Sequence, residues 1–250
     1  MALTGRGEVT FAERGAGGPP TPTLARPLPV TVILPVHDED PAVVRRLAAE
    51  CRAAYGETEV LIVDDGSAPP QPCATLRHER QRGYGAAIKT GFAAAHEAWI
   101  VTMDGDGQHH VEDIGRLFDF AVEHGLDMAI GDRRLEQPDA VRSVGSQTMN
   151  ILARLVTGLP IRDLNCGLRI FRRDLAARVQ GQLCDGFSFT TTIVMAFLAE
   201  GLRVGWLPVN VRPRLQGGSH VRLIGDGCLT AWEIVRAGSR CRLRCWRRRR

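Results

Sequence analysis

The sequence predicts an α/β fold in which a mostly parallel central sheet is covered by helices on both faces. Short apolar runs of strand type alternate along the chain with segments whose apolar residues recur at helical spacing. Strands that are joined through helices by short links run parallel. Hydrophobic residues make up 44% of the 250 residues and charged residues 24%, as in globular proteins. This composition excludes a mostly disordered chain, a collagen-like chain and a polytopic membrane protein.

The predicted elements begin with an apolar run at residues 30–36, which has the pattern of a buried strand. Residues 41–54 follow with apolar residues at helical spacing, and the pair Asp40-Pro41 is a good helix start. A second buried strand is predicted at 59–64. The remaining patterns predict strands at 98–103, 127–131 and 203–208, and helices at 84–95, 111–123, 143–157, 187–200 and 224–238.

The two ends of the chain differ from its body. Residues 1–27 are rich in Gly, Pro and Thr without periodicity, so we predict a disordered leader, followed by one domain over 28–225 and a C-terminal helix with a basic tail over 226–250. Seven arginines lie between residues 240 and 250, and subtracting them from the net charge of +4 leaves −3 for residues 1–239. A basic tail on an acidic body argues against nucleic acid as a partner.

Neither a membrane span nor a cysteine-based site is apparent. The most apolar stretch, residues 187–199, is shorter than a transmembrane helix and contains four hydroxyl residues, so it is predicted to be a buried helix. No signal peptide is recognisable. The seven cysteines are scattered without a C-x-x-C pair, which favours reduced thiols in a cytoplasmic protein over zinc or disulfides.

Polar clusters follow three of the predicted strands, at 37–39, 64–67 and 104–109. The carboxyl ends of parallel strands are the usual ligand-binding edge of such a sheet. Asp104 and Asp106, on a glycine-containing loop, could converge on one divalent cation, with Gln108 as a third oxygen ligand. Oxygen ligands favour Mg²⁺ or Mn²⁺. The spacing alone is equally compatible with a turn that leads into the next helix.

Several nucleotide-binding and hydrolase classes are excluded by their motifs. The segment Arg82-Gly-Tyr-Gly-Ala-Ala87 lacks the third glycine of a dinucleotide fingerprint, because position 88 is Ile. No Walker motif and no G-x-S-x-G elbow occurs in the sequence.

The ordered motifs resemble those of family-2 glycosyltransferases. They are Val32-Ile-Leu-Pro-Val-His-Asp-Glu39, Val63-Asp-Asp-Gly-Ser67, Arg82-Gly-Tyr-Gly-Ala-Ala87 and Met103-Asp-Gly-Asp-Gly-Gln-His109. More narrowly, the chain is similar to the polyprenyl-phosphate sugar transferases, the dolichyl-phosphate mannose synthase group. Further matches are Gly131-Asp-Arg133, Asp163-Leu-Asn-Cys-Gly-Leu-Arg169, Gly186-Phe-Ser-Phe-Thr-Thr-Thr192 and Arg214-Leu-Gln-Gly-Gly-Ser219. The resemblance covers about residues 29–225.

The resemblance implies a GT-A fold, a nucleotide-sugar donor and a divalent metal, Mg²⁺ or Mn²⁺. The residues that it assigns to nucleotide-sugar binding are Pro35, His37, Glu39, Asp64, Asp65, Gly83, Asp104 and Gly105. The metal would be held by Asp104, Asp106 and Gln108. The catalytic group would be Asp106, Arg133, Arg142 and Arg214, and the acceptor phosphate would be bound by Arg133, Arg214 and Ser219. The sequence departs from the group at His37, where Tyr or Phe is usual, and at Gly218 and His220, where lysines are common.

The expected reaction is inverting transfer of a sugar from a nucleotide-diphosphate donor (GDP-mannose or a UDP-sugar) to a polyprenyl or dolichyl phosphate. A phosphate acceptor is already anionic and requires no strong general base. The alternative is a family-2 transferase with a saccharide or small-molecule acceptor, which would need a carboxylate base. Arginines mixed with Trp246 in the tail suit an anionic bilayer surface, so peripheral attachment to the cytoplasmic face of the membrane is expected.

Overall fold

The computed structural model of the protein describes residues 9–12, 26–56, 58–133, 140–212 and 230–239, with the backbone alone over 140–146. Within these residues the strands form one sheet in the order β1-β8-β6-β7-β5-β2-β3-β4. The pairs are parallel except those of β7, which runs antiparallel to both β5 and β6. The strands are β1 (Val9–Phe11), β2 (Val30–Val36), β3 (Glu59–Asp64), β4 (Leu76–Arg77), β5 (Trp99–Thr102), β6 (Met128–Asp132), β7 (Arg169–Arg172) and β8 (Val204–Pro208).

Helices join and cover the strands, which confirms the predicted α/β class. A short 3₁₀ turn, Gln180–Gln182, follows the fifth helix. The helices are α1 (Pro41–Tyr55), α2 (Tyr84–Ala94), α3 (Glu112–Glu123), α4 (Ala140–Thr157), α5 (Arg173–Val179), α6 (Phe189–Glu200) and α7 (230–239).

The helix boundaries follow from local chemistry and burial. The carboxylate of Asp40 accepts a hydrogen bond from the Ala42 amide (2.8 Å) and caps α1, whose first residue is Pro41. Helix α6 is buried from Phe189 to Ala199, so its uniformly apolar sequence reflects a position in the core. Among the described residues, no helix combines the length and apolar character needed to cross a bilayer.

The structure corrects the predicted leader at residues 9–12. Val9–Phe11 form β1, which pairs with β8 at the sheet edge, whereas the sequence prediction was disorder. The ring of Phe11 lies 6.0 Å from that of Trp206, and the Arg162 guanidinium lies 4.1 Å above the Phe11 ring. Tertiary contacts of this kind stabilise a short strand that has no pattern of its own. The other residues of 1–25 and residues 240–250 lie outside the described residues.

The predicted site residues follow strands that end at one edge of the sheet. Strands β2, β3, β5 and β6 all end at this edge, and β7, which the sequence analysis did not predict, begins there. In register, Val36 pairs with Asp64, while Thr102 and Ile130 both pair with Arg169. The loop that precedes β7 therefore lies between the segments that follow β5 and β6.

Candidate active site

The centre of the site is the carboxylate of Asp104, which follows β5. The Tyr84 hydroxyl donates to its Oδ1 (3.0 Å), and Nε2 of His109 lies 4.0 Å from its Oδ2. Gly167 faces the same carboxylate so closely that a Cβ atom there would lie 2.2 Å from Oδ2. The Asp104 side chain is nevertheless 33% exposed, so it can reach a ligand.

The loop after Asp104 is fixed from two sides. On the sheet side, a Cβ atom on Gly105 would lie 2.6 Å from Val36 Cγ1, so only glycine fits against the end of β2. On the other side, the side-chain amide of Gln108 donates to the Arg212 carbonyl (3.3 Å), and the Arg212 amide donates to the Gln108 carbonyl (2.8 Å). An isolated bridge between His109 and Val211 completes this contact. The segment after β8 is thus attached to the loop of the predicted metal ligands.

The donor set of this loop fits a hard divalent cation. Asp104 and Asp106 are partly exposed carboxylates, and Asp106 Oδ1 accepts from the Gln108 amide (3.0 Å), which holds the turn. The bond from Gln108 to Arg212 uses its side-chain nitrogen, so its side-chain oxygen is the atom suited to an ion. In the described part of the chain, no three His, Cys, Asp or Glu side chains cluster as a metal site. Oxygen atoms of Gln108 and of a bound phosphate would have to complete the shell of Mg²⁺ or Mn²⁺.

His109 is a buried neutral imidazole beside this loop. Burial lowers its pKa to about 4, although the nearby Asp104 carboxylate acts in the opposite direction. Its Nδ1 has no hydrogen-bond partner among the described residues. His109 therefore contributes no positive charge to the site near neutral pH.

Asp64 lies at the same edge but is engaged within its own turn. Its side chain is fully buried, and its oxygens accept from the amides of Ser67 (2.9 Å) and Gln71 (3.0 Å). The Arg77 guanidinium lies 3.3 Å away. Burial opposes the charge, but these bonds outweigh it and lower the pKa of the carboxyl. Asp64 therefore has a structural part in this turn, and its contact with a base or ribose stays a prediction.

Asp65 anchors the loop that leads into α2. Its carboxylate accepts from the amides of Arg82 (2.9 Å) and Gly83 (2.8 Å) and contacts His78 Nδ1 (2.6 Å). The other ring nitrogen of His78 contacts the Thr90 hydroxyl (2.8 Å). Gly83 has a φ of 111°, and a Cβ atom there would lie 2.6 Å from the Asp185 carbonyl oxygen. Asp65 and Gly83 both take part in this anchor, and their predicted contact with the donor stays a prediction.

Arg133 and Asp163 form a bidentate ion pair on the β6 side of Asp104, in which Asp163 is buried and Arg133 is partly exposed. Arg133 Nε donates to Asp163 Oδ2 (2.9 Å) and Nη2 donates to Oδ1 (3.2 Å). Burial disfavours both charges, yet each partner stabilises the other: the pKa of Asp163 is lowered and that of Arg133 is raised. Nη1 takes no part in this pair and the Arg133 side chain is 20% exposed, so the guanidinium can still meet a phosphate.

Sequence reasoning missed the role of Arg169, which is 1% exposed. Its guanidinium donates to the carbonyls of Thr190 (2.7 Å), Leu164 (3.3 Å) and Cys166 (3.2 Å from Nε). Burial lowers its pKa. These bonds tie the loop before β7 to the first turn of α6 and hold Gly167 in place. The only sequence signal was the position of this arginine within the motif at 163–169.

The other predicted site residues divide into three groups. Pro35 is buried in β2, whereas His37 and Glu39 are partly exposed just beyond it. Arg142 lies in α4, but its side chain is outside the described residues, as are Arg214 and Ser219 entirely. Burial raises the pKa of the Cys166 thiol to about 12, so this cysteine is not poised to act as a nucleophile.

The sequence of residues 31–180 matches the family described as Glycosyl transferase family 2, over more than half of the chain. The chain belongs to glycosyl transferase family 2. This confirms the predicted family and the enzyme class, a glycosyltransferase.

The names of two relatives refer to phosphorylated polyprenols. Polyprenol monophosphomannose synthase of Mycolicibacterium smegmatis is 29% identical over 242 residues, which cover 84% of this chain and 89% of that protein. Undecaprenyl-phosphate 4-deoxy-4-formamido-L-arabinose transferase of Pectobacterium carotovorum is 30% identical over 164 residues, or 59% of this chain. The match spans half, 50%, of the latter protein.

Solved structures confirm the predicted GT-A fold. Glucosyl-3-phosphoglycerate synthase of Mycobacterium tuberculosis superposes with a TM-score of 0.65 at 17% identity, covering 93% of this chain and 88% of that one. A structure of the same enzyme with Mn²⁺ and UDP-glucose gives a TM-score of 0.62 at 16% identity, with 94% of this chain and 86% of that chain covered. At this identity the likeness concerns the fold alone.

Proposed function

We propose that the protein transfers a sugar from a nucleoside-diphosphate donor, GDP-mannose or a UDP-sugar, to a polyprenyl phosphate. In this proposal, Mg²⁺ or Mn²⁺ is held by Asp104, Asp106 and Gln108. The names of two relatives, a polyprenol monophosphomannose synthase and an undecaprenyl-phosphate aminosugar transferase, support this acceptor class.

The observation that carries the proposal is the state of the carboxylates on the β6 side of Asp104. Asp163 is held by Arg133, and Asp132 Oδ2 lies 3.4 Å from Arg162 Nη1. Both carboxylates are nearly buried and neutralised by arginine, so neither is poised to remove a proton from a hydroxyl acceptor. A phosphate acceptor needs no such base.

The chemistry follows from this arrangement. An acceptor phosphate oxygen, already deprotonated, attacks the anomeric carbon, and the bond from that carbon to the donor diphosphate breaks with inversion. The electron pair leaves with the nucleoside diphosphate. A divalent ion, when bound, neutralises the charge that develops on this leaving group. Nη1 of Arg133 binds a phosphate oxygen, while Asp163 fixes the orientation of the guanidinium.

A membrane-facing surface would bring the lipid acceptor to this site. Ile151 and Leu155 are 53% and 69% exposed on α4, and Trp232 and Val235 are 64% and 41% exposed on α7. The two helices touch, since a Cβ atom on Gly238 would lie 2.5 Å from a methyl carbon of α4. Exposed apolar side chains on α4 and α7, together with the seven arginines that follow α7 in the sequence, suit an anionic bilayer. Peripheral attachment to the cytoplasmic face remains part of the proposal.

Vesicle flotation tests the membrane contact. The protein should float with vesicles of phosphatidylglycerol and stay behind with phosphatidylcholine alone. Deleting residues 240–250 and replacing Leu155 and Trp232 by serine should each weaken flotation, because one change removes charge and the other removes apolar area. Full flotation of the variant that carries both changes would contradict this surface.

A thermal-shift panel tests the donor and the metal. GDP-mannose, UDP-glucose and other UDP-sugars are each added with Mn²⁺, with Mg²⁺ or with EDTA. A bound donor raises the melting temperature by mass action, and we expect one nucleotide to do so only when a divalent ion is present. A rise of the same size in EDTA would contradict the proposed metal, and no rise with any donor would contradict the proposed function.

A further inference from the structure

We propose that Tyr84 is a positioning residue that orients the Asp104 carboxylate for metal binding. Nothing in the family resemblance or the motif spacing assigned this role to the tyrosine. The inference rests on the proposed metal site at Asp104, and its test separates the two ideas.

The first step is the geometry at the carboxylate. Tyr84 donates a 3.0 Å hydrogen bond to Oδ1, whereas Nε2 of His109 lies 4.0 Å from Oδ2, beyond hydrogen-bond distance. Oδ1 is thus held by a protein donor, whereas Oδ2 receives no hydrogen bond from the described residues and keeps its lone pairs for an ion. Partners behind a metal ligand commonly set its orientation in this way.

The second step is that neighbouring aromatic rings restrain the Tyr84 side chain. Its ring lies 6.1 Å from that of Phe187 and 6.5 Å from that of Phe189, the latter edge-on. Gly167 borders the carboxylate closely, so Asp104 has little room to rotate away from the hydroxyl. A tyrosine hydroxyl held by two rings is a rigid donor.

The third step is the anchor of the backbone. Tyr84 is the first residue of α2 and directly follows Arg82 and Gly83, whose backbone amides donate hydrogen bonds to the Asp65 carboxylate. The following residue, Gly85, has space for no side chain, since a Cβ atom there would lie 2.2 Å from the Cys184 carbonyl oxygen. Asp65, His78 and Gly85 therefore fix the start of α2, and through Tyr84 they fix Asp104.

The test is Tyr84→Phe, which keeps the ring and removes the hydroxyl. The measured quantity is the affinity for Mn²⁺ in the presence of UDP or GDP, from the electron paramagnetic resonance signal of unbound Mn²⁺. We expect affinity to fall about 10-fold, the low end for loss of a partner behind a metal ligand. The Mn²⁺ concentration for half-maximal turnover should rise by the same factor, and kcat at saturating Mn²⁺ should recover.

Tyr55→Phe is the matched control, because the chain has two tyrosines. The Tyr55 hydroxyl is buried and donates to the Val111 carbonyl (2.8 Å) rather than to a carboxylate. This variant should lose thermal stability and keep wild-type Mn²⁺ affinity.

The outcomes separate cleanly. Unchanged Mn²⁺ affinity in Tyr84→Phe overturns the inference, as does an equal loss in Tyr55→Phe, which would indicate a general effect of destabilisation. If the wild-type protein binds no Mn²⁺ with either nucleotide, the proposed metal site fails and the inference falls with it. A selective loss in Tyr84→Phe, rescued by excess Mn²⁺, supports it.

Discussion

Replacing Gly167 by alanine should inactivate the enzyme by moving Asp104. A Cβ atom at this position would lie 2.2 Å from Oδ2, 2.3 Å from Cγ and 2.3 Å from Oδ1 of Asp104. Ordinary contact begins near 3.4 Å, so the two groups must separate by more than 1 Å. Gly167 cannot easily retreat, because its carbonyl accepts from the Thr102 hydroxyl (2.9 Å) and Arg169 holds the same loop. The Asp104 carboxylate is therefore the group that moves.

The size of the effect follows from that displacement. A misplacement of about 1 Å at a reacting centre can cost about 100-fold in rate. Overpacking of this kind also costs about 1–3 kcal/mol of stability. We therefore expect kcat/KM to fall about 100-fold and Mn²⁺ affinity to fall with it, while the circular dichroism spectrum stays that of a folded protein.

Gly181→Ala is the matched control, since a Cβ atom there would have no neighbour within 4 Å among the described residues. Both glycines have backbone angles that alanine tolerates, because neither is among the described glycines with positive φ. Turnover and Mn²⁺ affinity are measured for both variants beside the wild-type protein. A Gly167→Ala enzyme within twofold of wild type, about 0.4 kcal/mol, would refute the crowding argument.

Three further predictions concern Asp106, the Asp163–Arg133 ion pair and Glu59. Asp106→Asn should lower kcat at least about 100-fold at unchanged melting temperature, as an electrostatic role in the leaving-group step requires; more than a tenth of wild-type activity would contradict the metal assignment. Asp163→Asn leaves the Arg133 guanidinium without its counter-charge and should cost about 3 kcal/mol in urea unfolding, whereas a loss below about 0.5 would argue against a buried pair. Burial alone would raise the pKa of Glu59, but hydrogen bonds from Thr31 and His96 lower it, so the unfolded state binds more protons in acid. The stabilisation by ionised Glu59 is present above the ordinary pKa of 4.5 and is lost as the pH falls through the lower pKa of the folded state. Glu59→Gln should therefore make the melting temperature fall less steeply with acid. An unchanged slope of melting temperature against pH would contradict this.

The sequence predicted the elements that are buried on both faces. Strands β2 and β3 have the predicted bounds because a continuous apolar run between turn signals leaves little freedom. Strand β7 was missed since two of its four residues are arginines, and the burial of Arg169 depends on carbonyls that only the folded loop provides. Strand β1 was missed because its stability comes from pairing with β8, a distant partner in sequence.

The candidate site shows the same division. The motifs correctly brought the acids of three strand ends to one edge, since parallel strands require it. They did not reveal that the carboxylates of Asp64 and Asp65 accept hydrogen bonds from nearby backbone amides, because those bonds form only in the folded turns. The pairing of Tyr84 with Asp104 likewise depends on how α2 docks against β2 and β3, which residue spacing does not encode.

The most direct test of the central claim is an acceptor competition with purified protein, Mn²⁺ and a radiolabelled donor chosen from the thermal-shift panel. Undecaprenyl phosphate in detergent, a water-soluble hydroxyl acceptor and no acceptor are compared. The carboxylates paired with arginine beside Asp104 predict that label appears in the organic phase only with the lipid phosphate, and that Asp106→Asn abolishes it. Label that appears only in the water-soluble acceptor would contradict a phosphate acceptor and with it the proposed function.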